Sequence, residues 1–315
     1  MKYIYTFLTL VVMLFISQNT FAQDVNTNVR SYQNWLYQSG DTAKNKIESG
    51  HFNFDEAEIS FSKITNNFQF EVEARTNSNF DVTLNQAFVS YSNTLSDNWN
   101  FNITGGKFYN SWFNYTKRNT YTYSRPLISR FIPETENGIQ FGVDNGSTDI
   151  NIAYFNGNSD TSKRILVTTV FKPSDNLELG LFGQAKLNYY QDTGYVFGGS
   201  LSNKNYSSRL GGIKYGAEFI YSKDTVNSYL ASVKAEYFPV KWKNWSIFAQ
   251  GVYMVPNSKI TDTYNLNIQT DLVWRPTDIL DIAFEYSYNW MKNPSSITHP
   301  IKYSYVVGIK TGFNF

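Results

Sequence analysis

The sequence has no cysteine in its 315 residues. This rules out disulfides, thiolate metal sites, a cysteine nucleophile and a lipid-modified N-terminal cysteine. Histidine is nearly absent as well: His51 and His299 are the only two, too few for a histidine-based metal or acid–base centre. Net charge is also lacking, because 27 Lys and Arg face 26 Asp and Glu. A nucleic-acid binder would carry a basic excess, so that class is excluded. Long apolar runs are missing beyond the N-terminus. A mean hydropathy of −0.39 is too polar for a bundle of membrane helices.

What is present begins with a targeting segment. Lys2 supplies a positive start, residues 3–17 are mostly apolar, and Thr20 and Ala22 are small residues placed for cleavage. The reading is a signal peptide over 1–22 and one domain over 23–315, exported to a bacterial envelope. The apolar run is shorter than the roughly 20 residues an uncleaved membrane anchor requires.

Past Gln23 the recurring pattern has period 2, in segments of about ten residues. Tyr303, Tyr305, Val307, Ile309, Phe313 and Phe315 share one parity, against Lys302, Ser304, Gly308, Lys310, Gly312 and Asn314. Leu280, Ile282, Phe284, Tyr286, Tyr288 and Trp290 likewise alternate with Asp281, Ala283, Glu285, Ser287 and Asn289. A soluble sandwich also alternates. Three details point instead to a transmembrane antiparallel β-barrel. Charges recur on the polar parity and are rare on the other. Aromatics sit at the ends of apolar faces, as at Tyr264 and Trp274 or Trp245 and Tyr253, where a strand would cross the lipid–water boundaries. The segments are also long enough, when tilted, to span the hydrocarbon.

Short turns fall at 65–67, 96–98, 144–147, 173–176, 239–244 and 275–278. Asn145-Gly146 is the strongest hairpin signal among them. Longer connections fall at 40–50, 109–136, 157–163, 256–263 and 292–300, and the two classes mostly alternate. An outer-membrane barrel has short periplasmic turns and longer external loops, which demands an even strand number. The count is sixteen, with fourteen as the fallback because spans 29–38 and 195–203 alternate weakly. A phase break at Asn85-Gln86 predicts a β-bulge. The terminal strands must pair, because an open edge is untenable in lipid.

The longest connection, 109–136, clusters apolar residues around 112–115 and 127–132 and carries Lys117, Arg118, Arg125 and Arg130. The expectation is a loop folded into the lumen as a pore constriction. Gly105-Gly106-Lys107-Phe108-Tyr109, the arginines after it, Glu136-Asn137-Gly138-Ile139-Gln140-Phe141-Gly142, Ala87-Phe88-Val89-Ser90-Tyr91 and Tyr154-Phe155-Asn156-Gly157 together resemble the phosphate-selective porin O/P family. The resemblance covers residues 82–157. It implies a sixteen-stranded, often trimeric diffusion porin with an inward third external loop. It also implies a terminal Phe315 read by barrel-assembly machinery, and exported proteins of Bacteroidota have a similar cleavage context.

Phosphate selectivity does not follow, because the inward parity mixes signs. Glu56, Glu58, Glu71, Glu73, Glu178, Glu218, Glu236, Asp271, Asp281 and Glu285 share it with Arg75, Arg164, Lys186, Lys214, Lys234, Arg275, Lys302 and Lys310. The four loop cations give a weak anion lean. No catalytic constellation emerges. Both histidines fall near external loops, and the carboxylate pairs Glu56/Glu58 and Glu71/Glu73 repeat the ordinary lumen pattern, so no enzyme, cofactor or metal is expected. The sequence therefore reads as an outer-membrane porin for small polar solutes or ions, in contact with the lipid bilayer. The alternative is a barrel without an open channel, which binds or transports a hydrophobic ligand or displays adhesive loops. In that case residues 23–50 could form a plug. A soluble secreted β protein is a weaker third reading.

Overall fold

The computed structural model describes residues 26–42, 46–76, 81–96, 98–110, 135–156, 162–188, 194–203, 206–207, 211–223, 227–242, 244–256, 264–277, 280–292 and 301–314. The signal segment, Phe315 and His299 lie outside these residues. Sixteen long strands and one two-residue bridge occur among them: β1 (Asn26–Thr42), β2 (Lys46–Thr65), β3 (Phe68–Thr76), β4 (Val82–Ser96), β5 (Trp99–Tyr109), β6 (Thr135–Asp144), β7 (Thr148–Phe155), β8 (Ser162–Ser174), β9 (Leu177–Asn188), β10 (Tyr195–Asn203), the bridge β11 (Tyr206–Ser207), β12 (Gly211–Lys223), β13 (Asn227–Phe238), β14 (Trp245–Val255), β15 (Tyr264–Trp274), β16 (Leu280–Lys292) and β17 (Ile301–Asn314). Every pairing is antiparallel. Each long strand pairs with the next, β10 pairs directly with β12, and β1 pairs with both β2 and β17. The run of pairings returns to its start, so the sheet is a cylinder with no free edge.

The two parities of each strand have opposite surroundings, and their order is the reverse of a water-soluble protein. Forty described large apolar side chains are exposed, among them Val233 at 63% and Leu181 at 66%. Glu58, Glu73, Gln269, Asp271, Glu285 and Lys310 are buried. In water each exposed Leu, Ile or Phe would forgo about 1.5–3 kcal/mol of burial. In hydrocarbon that cost vanishes, and the polar parity must turn inward.

Aromatic belts bound the apolar band. On one side Tyr221 lies next to Tyr195, with centroids 6.1 Å apart, and Tyr253 contacts both Tyr229 at 6.4 Å and Tyr264 at 5.9 Å. Trp290 continues the row, 6.2 Å from Tyr264. On the other side Trp245 stacks on Trp274 at 5.9 Å, and Tyr91 bridges Phe68 and Phe101. The ten residue steps from Tyr264 to Trp274 span about 33 Å along the strand. At a tilt of about 40° that is roughly 25 Å upright, the height of the apolar band of an outer-membrane barrel.

The hairpin ends follow from local chemistry. Thr65 pairs with Phe68 across Asn66-Asn67, and Asn66 takes a positive φ of 51°, which the tight turn requires and asparagine tolerates. At the β6–β7 turn Gly146 has φ 81°, and Asn145 Oδ1 accepts from the backbone N–H groups of Ser147 and Thr148. The bulge lies where the phase break predicts it: Glu73 pairs with Gln86 and Ala74 with Leu84, leaving Asn85 as the extra residue. Gly106 has φ 125°, and a Cβ there would lie 2.3 Å from the Ala87 carbonyl oxygen.

Two readings need correction. Residues 40–50 are not a long loop: Gly40 pairs with Ile47 and Asp41 with Lys46, leaving only 43–45 between the strands. The antiparallel ladder satisfies backbone N–H and C=O groups whatever the side-chain polarity, so strands can run past the membrane boundary. The same ladder removes the plug, because β1 is a wall strand paired on both sides. The short-turn end has one exception, the β10–β12 connection, where Tyr206 and Ser207 pair with Gly212 and Gly211.

Candidate functional site: the inner wall of the barrel

The inward charges gather in cross-strand groups. At the bulge, Arg75 Nη2 contacts Glu58 Oε1 at 2.6 Å and donates to Tyr109 Oη at 2.7 Å. Tyr109 Oη donates to Glu73 Oε1 at 3.0 Å, and Asn85 Nδ2 donates to both Tyr109 and Glu73. Gln86 Nε2 reaches Glu71 at 3.2 Å and Glu73 at 3.3 Å. The extra residue of the bulge is what brings Asn85 and Gln86 to the same face. This group ties β2, β3, β4 and β5 together at the Tyr109 end of β5.

A second group joins Arg164 on β8 to Glu136 on β6, with Lys186 opposite Arg164 on β9. A third lies near the short-turn end. Arg275 contacts Glu236 at 2.6 Å and Asp281 at 3.5 Å, and Ser246 Oγ donates to Glu236 at 2.6 Å. Lys234 lies 3.6 Å from Glu218, and Lys214 is opposite Glu236. In the fourth group Lys310 pairs with Glu285, while Gln269 Nε2 donates to Asp271 at 3.0 Å and Glu285 at 3.2 Å. All twelve wall residues singled out in the sequence, Glu71, Glu73, Arg75, Lys186, Lys214, Glu218, Lys234, Glu236, Asp271, Asp281, Glu285 and Lys310, stand on the inward parity. Lys117, Arg118, Arg125 and Arg130 lie outside the described residues, as do the side chains of Glu56 and Lys302. His51 falls within β2, opposite Leu36. No group of carboxylates and histidines able to hold a metal occurs among the described residues.

Sequence reasoning missed an apolar crescent on the same inward parity. Phe108, Phe155, Leu166, Phe182, Val196, Ile220, Leu230 and Val252 form one buried cluster across β5–β14, toward the longer-connection ends of the strands. Register makes it continuous: Gly198 is opposite both Phe182 and Ile220, and Ile220 is opposite Leu230. Phe155, Leu166, Ile220 and Leu230 are 0% exposed. The signal was present in the sequence, since Leu230 shares the parity of Lys234 and Glu236. The amide partners Gln69, Asn85 and Gln86 were also missed.

A closed sheet with a hydrocarbon-compatible outside and an ion-paired inside defines a transmembrane β-barrel of the outer membrane. Solved structures share this fold. OprB of Pseudomonas putida is 8% identical, with a TM-score of 0.69 over 93% of this chain and 94% of that one. An anion-selective porin from Comamonas acidovorans is 12% identical, with a TM-score of 0.67 over 92% and 99%. In-vitro folded OmpT of Vibrio cholerae in its trimer form is 10% identical, with a TM-score of 0.65 over 93% and 100%. No family model and no curated sequence matches the chain.

Proposed function

We propose that the protein is a passive diffusion porin, with small polar solutes or ions crossing the barrel along its charged inner wall. The observation that carries the reading is the paired ionic lining. Carboxylates and cations face each other across strands, a lining that holds water and does not close a dry core. Segment 109–136 narrows the passage. Support comes from the crescent, whose side chains are fully buried although they stand on the inward parity. The segment starts beside that crescent, at Tyr109.

The anion lean rests on Lys117, Arg118, Arg125 and Arg130. The described wall opposes it, because carboxylates outnumber cations on its inward parity. Assembly as a homotrimer is supported by the trimeric relative, and the phosphate-selective O/P likeness by residues 82–157. Phe315 is the proposed handle for barrel assembly. The test is conductance: purified protein in planar bilayers gives stepwise, salt-dependent currents, and a bilayer that stays silent at high protein load refutes the porin reading. The crescent favours one second reading, a barrel that holds a hydrophobic ligand, which would give no current and a lipid-like molecule on extraction.

A further inference from the structure

The outer wall carries little charge, and its sign and place are not random. In β3–β17 every described strand carboxylate stands on the inward parity. Four cations stand on the outward one: Lys107, Lys163, Lys223 and Lys292. All four lie at the strand ends that face the longer connections. Lys223 Nζ is 5.6 Å from the ring centroid of the belt residue Tyr195, and Lys292 is opposite Tyr264 of the same belt. In the β1–β2 hairpin Asp41 and Glu48 accompany Lys46, so the excess belongs to the sector from β5 to β16. At the short-turn end β2 contributes Lys63 to the outward parity.

Two of these lysines close the ends of one row. Lys107 is opposite Asn137, the Asn137 carbonyl accepts from the Asn156 N–H, and Lys163 Nζ donates to Asn156 Oδ1 at 2.6 Å. The row crosses β5, β6, the end of β7 and β8, about 14 Å at about 4.8 Å per strand. Lys107 also donates to the Leu84 carbonyl beside the bulge. An ammonium has three N–H groups, so both lysines keep donors to spare. Asn137 and Asn156 are exposed. Neither lysine forms an ion pair with a described carboxylate. Glu136 and Arg164, their sequence neighbours, pair with each other on the inward parity. Asp81, just before β4, is ion-paired with neither lysine. One row closer to the membrane centre, Ile139, Tyr154 and Ile165 are in register and 49%, 44% and 39% exposed.

A row of donors directly above a greasy wall matches a molecule that is anionic at one end and hydrocarbon along the rest. Lysine suits that level, because its stem lies on apolar surface while its ammonium reaches the headgroups. A zwitterionic headgroup would bring its own cation to the two lysines. A small soluble anion would leave the apolar rows below unused. We infer that Lys107, Asn137, Asn156 and Lys163 bind the phosphate headgroup of an anionic lipid in the leaflet that faces the longer connections. Its acyl chains lie on Ile139, Tyr154 and Ile165, and Lys223 and Lys292 extend the same positive collar around the barrel. The inference rests on the lipid-facing outer wall and is independent of the open channel.

The test is native mass spectrometry of the full chain in detergent, titrated with dioleoyl phosphatidic acid or dioleoyl phosphatidylcholine. Wild type binds phosphatidic acid at least about tenfold more tightly than phosphatidylcholine. The double variant Lys107→Gln/Lys163→Gln weakens phosphatidic acid binding about tenfold and leaves phosphatidylcholine binding unchanged. Asn156→Ala weakens it about two- to threefold. Lys63→Gln, on the outward parity at the other end, leaves it unchanged. A wild type without preference, a double variant that binds phosphatidic acid as before, or an equal loss in Lys63→Gln overturns the site. Heat-modified gel mobility verifies the folded barrel in each variant. If the double variant does not fold, Lys163→Gln alone decides: about threefold weaker binding supports the site, and no loss overturns it. A silent bilayer in the conductance assay strikes the porin reading and leaves this one standing.

Discussion

Two neighbouring residues of β15 test the orientation of the whole wall. Ile268 is 46% exposed on the outer parity, and Asn267 is on the inner one, its amide bonded to Asn289. Ile268 is four residues from Tyr264 and six from Trp274, the two belt residues of that strand. Four residues are about 13 Å along the strand and roughly 10 Å in depth, which puts Ile268 near the middle of the apolar band. A lysine at the midplane of an outer-membrane barrel costs about 2–4 kcal/mol. Ile268→Lys should therefore lower the folding equilibrium constant about 30- to 900-fold. Asn267→Lys places the same charge one residue away, at almost the same depth, but into the lumen. Its cost is the lost Asn289 bond, about 1 kcal/mol, a factor near five. The assay is reversible guanidinium unfolding in lipid vesicles followed by tryptophan fluorescence, both variants beside wild type. Equal penalties, or a larger one for Asn267→Lys, would refute the assignment of faces and the membrane reading with it.

Other outcomes follow from the wall and its longest connection. Deleting residues 116–129 should raise single-channel conductance, and an unchanged value would remove the constriction while sparing the barrel. Replacing Lys117, Arg118, Arg125 and Arg130 together with glutamine should move the reversal potential in a salt gradient toward cations, because the remaining wall carries more carboxylates than cations; no movement would exclude them as the source of selectivity. Gly106→Val should lose about 2 kcal/mol or more of stability, since its φ of 125° and the 2.3 Å approach to the Ala87 oxygen admit no side chain. Heat-modified gel mobility at lower temperature is the readout. Arg275→Ala should cost about 1–3 kcal/mol in the same unfolding assay, because Glu236, 4% exposed, would keep Ser246 but lose its cation. Arg275→Lys should recover part of it.

Alternation made most of the wall legible in advance. β10 and β15 occupy the spans their patterns marked, and the shift of parity between Leu84 and Ala87 located the bulge at Asn85. Binary patterning works well here because every strand meets the same two environments, lipid on one side and lumen on the other. It failed where that condition lapses. Residues 40–50 read as a loop because Gly40, Asp41 and Gly50 are turn formers, yet beyond the membrane a ladder needs only backbone partners. The crescent was missed for a different reason. Phe155, Leu166 and Ile220 share the inward parity with Arg164 and Glu218, and a rule that equates inward with polar cannot see apolar residues facing in. The knot at Arg75, Tyr109 and Asn85 was out of reach because its members are far apart in sequence and meet only through register.

The seam between β1 and β17 constrains how the molecule comes into being. Arg30 sits beside Asn314, and the ladder continues through thirteen residue pairs to Thr42 and Ile301. The first strand of the barrel therefore finds half of its neighbours only after the last strand has been made. Until then its edge, and every edge advancing from it, is an invitation to mispair. Closure is therefore a late event in folding, set by the pairing of the first strand with the last.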